Sequence, residues 1–332
     1  MSDPAPTTLG RTAAPLPAWS GLLPVDKPGG VTSHDVVDRA RRRLHMRSIG
    51  HLGTLDPAAT GLLVLAIGAA TRCATVWQGG RKTYEGVARF GVVTDTQDLQ
   101  GRVLEQHEAN VAEAAVRAAA QALTGELRQV PPMVSALKHE GKRLYEIARR
   151  GDVVEREPRA VRVDAWTWLD FAPHEARFVV QCSGGTYVRT LVHDLGAALG
   201  CGAALASLRR LRSEPFTLEQ AIAWRDFDTV PAEALLERSG IPLDRALDVL
   251  PSVTLDGAAA ESVGRGRFVP VVAGGAPVGA GERSIVLRDS AGRAIALAEL
   301  VPAERAGGEA GSAVTARPNV VFPWAVREGK DA

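Results

Sequence analysis

The chain has 332 residues, 45% of them hydrophobic and 23% charged, enough for a large core plus a second small domain and too apolar for wholesale disorder. A net charge of +1 means that any nucleic-acid binding must come from local Lys/Arg patches rather than from a basic total. Cys73, Cys182 and Cys201 are widely spaced without C-x-x-C ligand spacing, no apolar stretch nears the roughly 20 residues a bilayer demands, and no signal core follows the start; a cytoplasmic protein without disulfide, metal or membrane association is expected.

Residues 1–18, rich in Pro, Ala and Thr without periodicity, read as a mobile, disordered tail. Gly21 to Asp26 reads as a short buried strand, and Thr32 or Ser33 can cap a helix whose apolar face holds Val36, Val37, Ala40 and Leu44. Leu62 to Ile67, a continuous apolar run, is short enough for a central strand, followed by a helix from Thr71 to Trp77. Tyr84 to Phe90 alternates as a strand, with Arg102 to Glu105 as its antiparallel partner across a polar loop from Thr94 to Gly101. Asn110 can cap an Ala-rich helix through Leu123, with Val111, Ala114, Ala115 and Ala118 on its apolar face.

Val161 to Leu169 and Ala176 to Cys182 read as paired strands, and Tyr187 to Leu199 turns helical after two glycines, placing Arg189 near a helix start. Strands and helices interleave without a regular βαβ repeat, so an α+β fold with a mixed, largely antiparallel central sheet flanked by helices is expected. Composition shifts after Pro251: short strands are expected at Ser284 to Arg288, Ala294 to Leu300 and Asn319 to Phe322, with a Gly/Ala/Glu-rich loop from Ala303 to Ala313.

The chemistry points to Gly50-His51-Leu52-Gly53-Thr54-Leu55-Asp56-Pro57-Ala58-Ala59-Thr60-Gly61. A lone Leu-Asp-Pro is an ordinary turn. Here glycines stand at 53 and 61, a histidine at 51, and Arg41, Arg42, Arg43 and Arg47 just upstream, with Asp56 on the loop entering the central strand.

This segment resembles the catalytic motif of the bacterial tRNA pseudouridine-55 synthases, the TruB family. Further segments follow in the family's order: Leu23-Pro24-Val25-Asp26-Lys27-Pro28, Lys82-Thr83-Tyr84, Gly91-Val92-Val93-Thr94-Asp95-Thr96, Pro131 to Lys138, Gly141 to Tyr145, Cys182 to Thr190, and Leu208-Arg209-Arg210-Leu211. The resemblance covers about residues 20 to 215 and fades beyond 250. It implies the pseudouridine synthase fold for 19–250 and a small β-rich, PUA-like C-terminal domain for 251–332.

It also implies roles. Asp56 matches the catalytic aspartate, a nucleophile that splits one difficult substitution into two easier steps. Arg189 matches the arginine that pairs with it, and a guanidinium partner lowers a carboxyl pKa and keeps it charged. Tyr84 matches the active-site tyrosine, able to stack on a displaced uracil or to assist at the C5 proton. Tyr187 and Leu208 match pocket walls, Lys27 takes a supporting place near the substrate, and His51 matches the histidine that fills space vacated by flipped nucleotides. The implied partner is the T-arm stem-loop of tRNA, whose uridine leaves its stack at a cost of roughly a few kcal/mol. No cofactor is implied.

For the RNA backbone the candidates are Arg39, Arg41, Arg42, Arg43 and Arg47, then Lys138, Lys142 and Arg143, then Arg209, Arg210 and Arg212. Gly185 stands where family members often carry a polar or basic residue. A monomer is expected. A rival reading is a tRNA-binding or folding chaperone without catalysis; a phosphoryl acceptor or a glycosidase would call for an acidic metal cluster or a second carboxylate, for which Asp95 and Asp98 are the nearby candidates.

Overall fold

The computed structural model describes residues 19–135, 138–139, 142–144, 147, 152, 154–271, 284–302 and 314–325. The expected tail at 1–18 and the loop at 303–313 lie outside the described residues.

The first strand, β1 (Gly21–Lys27), is almost wholly buried and runs antiparallel to β3 (Thr60–Ile67), from Gly21 opposite Ile67 to Lys27 opposite Gly61. Between them come α1 (Ser33–Leu44) and the short β2 (Ile49–His51), which pairs with β3. Thr32 caps α1 in a capping box with Asp35, and Val36, Val37, Ala40 and Leu44 face the core as expected. Ser33, the alternative cap, instead turns inward: its hydroxyl accepts from Leu55 N at 2.8 Å and donates to Leu55 O at 3.0 Å.

The sheet continues through β10 (Ala203–Ser213), parallel to β3, and β4 (Lys82–Phe90), antiparallel to β10. Beyond β4 lie β9 (Glu175–Cys182), β8 (Arg159–Ala172) and β7 (Gly125–Gln129), each antiparallel to its neighbour. The fold is thus the mixed, mainly antiparallel α+β sheet expected from the residues. The helix α2 (Glu113–Ala122) packs through Val116 and Ala120, α3 (Val188–Ala198) packs against β10, β11 (Ile222–Ala223) runs parallel to β1, and α4 (Ala232–Ser239) packs on β1.

Three local expectations change. The strand β6 (Val103–Gln106) pairs with β5 (Val92–Thr94) and not with β4, because both edges of β4 are already taken by β9 and β10. In α2 the cap is Ala112, not Asn110, and Ala114, Ala115 and Ala118 face solvent; Val116, Ala120 and the partly buried Leu123 carry more surface to bury at the same helical spacing. The helix expected over Thr71–Trp77 is a 3₁₀ segment, Gly68–Cys73, followed by one short helical turn at Thr75–Gln78.

After Pro251 the chain forms a second, five-stranded sheet with α5 (Gly257–Gly264) against it. Its strands are β12 (Ser252–Thr254), β13 (Val269–Val271), β14 (Ser284–Arg288), β15 (Ala294–Pro302) and β16 (Val314–Val321). The last begins earlier than the expected Asn319. This sheet shares a core with the first: Val286, Leu297 and Phe322 belong to one buried cluster with Leu22, Leu62, Val64 and Trp77. Arg72 Nη1 donates to Val321 O at 2.8 Å across the same junction.

Candidate active site

Asp56 sits on the loop between β2 and β3, and buried cations hold that loop from both sides. Lys27 is fully buried and donates to the carbonyls of Pro28, Pro57 and Ala59 at 2.8, 3.2 and 2.7 Å. Arg210, 3% exposed on β10, donates from Nε to Leu62 O at 2.7 Å and from Nη2 to Gly53 O at 3.0 Å. Arg210 comes this close because Gly61 has φ 96° and no side chain: a Cβ there would lie 2.3 Å from the Arg210 carbonyl oxygen. Desolvation lowers the Lys27 ammonium to about 8, opposed by the negative charge of Asp56.

Arg189, in the first turn of α3, reaches Asp56 from the opposite side. Its Nε lies 2.9 Å from Asp56 Oδ2, and Nη2 donates to Oδ1 at 3.3 Å. The same guanidinium donates to Thr96 O at 2.8 Å and Val134 O at 2.9 Å, and lies 3.5 Å from Asp98 Oδ2. Asp98 is itself fixed, accepting from Thr96 Oγ1 at 2.7 Å and from Gln100 N at 3.0 Å. One arginine therefore bridges two carboxylates and three loops.

The Asp56 carboxyl is pushed above its ordinary range by burial, opposed by Arg189 and assisted by the like charge of Asp98. The downward pull expected of the guanidinium is present, but desolvation outweighs it.

Beside the pair opens a cavity of about 330 Å³ lined by Leu55, Asp56, Tyr84, Tyr187, Arg189 and Leu208, with Lys82 and Arg210 among its other walls. Such a volume is near the lower end of the roughly 300–1,000 Å³ typical of small-molecule sites. Tyr84 and Lys82 both reach the cavity because they stand two apart on β4 and share a sheet face. Burial raises the phenols of Tyr84 and Tyr187, so both stay protonated. Lys82 donates to Gln78 O and Gly80 O at 3.2 and 2.8 Å, and burial brings its ammonium to about 8.

A family model described as TruB family pseudouridylate synthase (N terminal domain) matches residues 41–188, and the tRNA pseudouridylate synthase B C-terminal domain matches 189–248. A tRNA pseudouridine synthase B of Burkholderia pseudomallei (strain 668) is 47% identical over 245 residues, 73% of this chain and 80% of that protein. The chain belongs to the TruB family. Another relative of that name, from Solibacter usitatus (strain Ellin6076), is 44% identical across 75% of this chain and 86% of its own length. Among solved structures, a Cbf5-Nop10-Gar1 complex matches with a TM-score of 0.69 at 27% identity, covering 91% of this chain and 84% of that one. An H/ACA RNP bound to a substrate RNA containing 2'-deoxyuridine shares the fold, with a TM-score of 0.67 at 24% identity over 94% and 92% of the two chains.

The structure of this TruB family member gathers Asp56, Tyr84, Arg189, Tyr187 and Leu208 around one cavity. Two further candidates turn inward. Lys27, expected in a supporting place near the substrate, has its ammonium sealed from solvent and donating to three carbonyls. Arg210, expected among the RNA-backbone candidates, has its guanidinium buried against the loop that carries Asp56. His51 ends β2 opposite Leu65, half-buried and outside the cavity lining.

Of the basic clusters, Arg42, Arg47 and Arg212 are exposed, whereas Arg41 donates to Ile49 O, Arg43 to Val230 O and Arg209 to Asp26. Arg39 stacks over Trp224 and pairs with Asp228. Lys138 pairs with Arg143 and His139 with Lys142 in a two-residue ladder; the side chains of Lys138, Lys142 and Arg143 lie outside the described residues. Sequence reasoning missed a role for Lys82, for which its place two before Tyr84 on an alternating strand was the available signal.

Proposed function

We propose that this chain isomerises uridine 55 in the T-loop of tRNA, with Asp56 as the nucleophile on a flipped-out nucleoside. The supporting observation is the Asp56–Arg189 pair at the wall of a cavity that also holds Tyr84. The relatives' shared name, tRNA pseudouridine synthase B, supports tRNA as the substrate. The reaction breaks the N1–C1′ bond, turns the ring and joins C5 to C1′; one proton leaves C5 and one arrives at N1, so no redox partner or phosphate energy is consumed.

In this reading the charged carboxylate attacks the nucleoside, at C6 of the base or at C1′, and Arg189 fixes its position. A carboxylate raised by burial is a stronger nucleophile once ionised than an ordinary one. Tyr84 covers the detached ring and offers a phenol for the C5 proton. Lys27 and Arg210 supply rigidity. Residues 19–250 are the proposed catalytic domain, and 251–332 a PUA-like domain. The exposed Arg42 and Arg47 are proposed to meet the RNA backbone, as are Lys138, Lys142 and Arg143.

The test is incubation of the protein with an unmodified T-arm stem-loop, mapping of pseudouridine, and tritium release from 5-tritiated uridine, beside Asp56→Asn. Product at position 55 from the parent and none above background from the variant is expected. A parent that makes no product there would overturn the substrate; an equally active variant would overturn the nucleophile.

A further inference from the structure

We infer that Gln129, far from Asp56 in sequence and outside the cavity lining, is a positioning residue that sets Arg189 against Asp56 by clamping the backbone of Tyr187. Gln129 is the last residue of the edge strand β7 and is 4% exposed. Its side-chain amide makes two reciprocal bonds to one distant residue: Nε2 donates to Tyr187 O at 3.0 Å, and Oε1 accepts from Tyr187 N at 2.7 Å. The amide thus imitates a strand neighbour for a residue that lies in no strand.

Tyr187 is the N-cap of α3, and its side chain makes no capping bond. Helix starts leave donors without intrahelical partners and are commonly fixed by a capping side chain. Here the cap residue is held from outside. Arg189 follows two residues later, in the first turn, where a small rotation of the cap swings a long side chain across the site. The strand end that carries Gln129 leads directly to Val134, whose carbonyl accepts from Arg189 Nη2 at 2.9 Å. One stretch of chain therefore fixes both the root and the tip of the arginine. A buried amide satisfied in both directions is also costly to replace, because its removal orphans Tyr187 N.

The inference rests on the Asp56–Arg189 reading above, and its test separates the two. Gln129→Leu removes both bonds; Gln129→Glu keeps the acceptor for Tyr187 N and loses the donor to Tyr187 O. Single-turnover rates on the T-arm stem-loop would be measured from pH 5 to 9 for the full chain and both variants, with stem-loop affinity and thermal unfolding alongside. A loosened Arg189 opposes the burial of Asp56 less, so the acid limb of the rate should move to higher pH. Expected are a rate lowered about tenfold or more in Gln129→Leu and less in Gln129→Glu, affinity within about threefold, and that shift of the acid limb in both.

Rates within twofold of the parent in either folded variant would overturn the inference. So would a lowered rate whose acid limb stays in place, since a merely structural role predicts that. If Gln129→Leu fails to fold, Gln129→Glu decides alone by the same criteria. Asp56→Asn serves as the control: activity in it would sink the nucleophile reading, while the rates of the Gln129 variants would still report on the clamp.

Discussion

Two groups of cations in this fold meet opposite fates. Lys27, Arg189 and Arg210 turn inward, each nearly sealed from solvent, and give their donors to backbone carbonyls of the loops around Asp56. Arg42, in α1, and Arg47, just after it, stay exposed. The first group ties down the loop that carries Asp56; the second leaves charge available to a polyanion. Residue type is the same in both, so what separates them is whether the neighbouring strands present unpaired carbonyls. The loop at 52–59 does, because between β2 and β3 it leaves the ladder and would otherwise bury acceptors without partners.

The comparison breaks first at Arg210. In Arg210→Leu the carbonyls of Leu62 and Gly53 lose their donor, at a cost of roughly 3 kcal/mol of stability for orphaned buried acceptors. Denaturant unfolding should show that loss, and activity should fall at least a hundredfold as the loop loosens around Asp56. Arg210→Lys should restore little of either, since an ammonium cannot span the two acceptors as a guanidinium fork does. A stable, active Arg210→Leu would remove the inward group's structural role.

Lys27 sharpens the same side through pH. Its ammonium is lowered to about 8 in the fold from 10.5, so between these values the unfolded chain binds the proton that the folded chain has released. Stability contributed by this site therefore rises as pH climbs from 8 towards 10.5, and is flat below. Lys27→Met should lack that rise. Unfolding free energies of parent and variant, measured at pH 7, 8, 9 and 10, check the sign: parallel profiles would show that the fold does not penalise the charge.

Asp98 tests the ion-pair network with a smaller effect. Its negative charge raises Asp56, so Asp98→Asn should lower the Asp56 pKa and move the acid limb of the rate to lower pH. The rate at neutral pH should still fall, by about tenfold, because Arg189 loses one of its two carboxylate neighbours. A limb that moves upward instead would mean that Asp98 acts mainly by orienting Arg189.

Much of this site was legible in the residues and some of it was not, for identifiable reasons. The Asp56 loop, the helix start carrying Arg189 and the strand carrying Tyr84 follow from local punctuation and periodicity. The fate of Arg210 does not: it depends on a parallel pairing of β10 with β3 across some 150 residues, and on Gly61 letting the two backbones approach. Asn110 failed as a cap and Ala114, Ala115 and Ala118 as a core face because alanine buries too little to set a helix's orientation against Val116 and Leu123. The pairing of β6 failed for a topological reason, since nothing in its own residues says that β4 has no free edge. In the second sheet, α5, β12 and β13 are short and lack strong periodicity; their places are set by packing onto β14 to β16.

The outward group carries the smallest effect and the cleanest contrast. Arg42→Ala and Arg47→Ala should each leave stability within about 0.5 kcal/mol of the parent, as expected of exposed positions. If these side chains meet phosphates, each removal weakens stem-loop binding a few-fold at moderate salt and lowers the slope of log affinity against log salt by about one. The maximal rate should not move, because neither residue lines the cavity. Binding isotherms at several salt concentrations separate this from the inward group, whose loss should weaken the rate and the fold while leaving the salt slope unchanged. An unaltered slope in both Arg42→Ala and Arg47→Ala would move the RNA path off this face of α1 and towards the 138–143 segment.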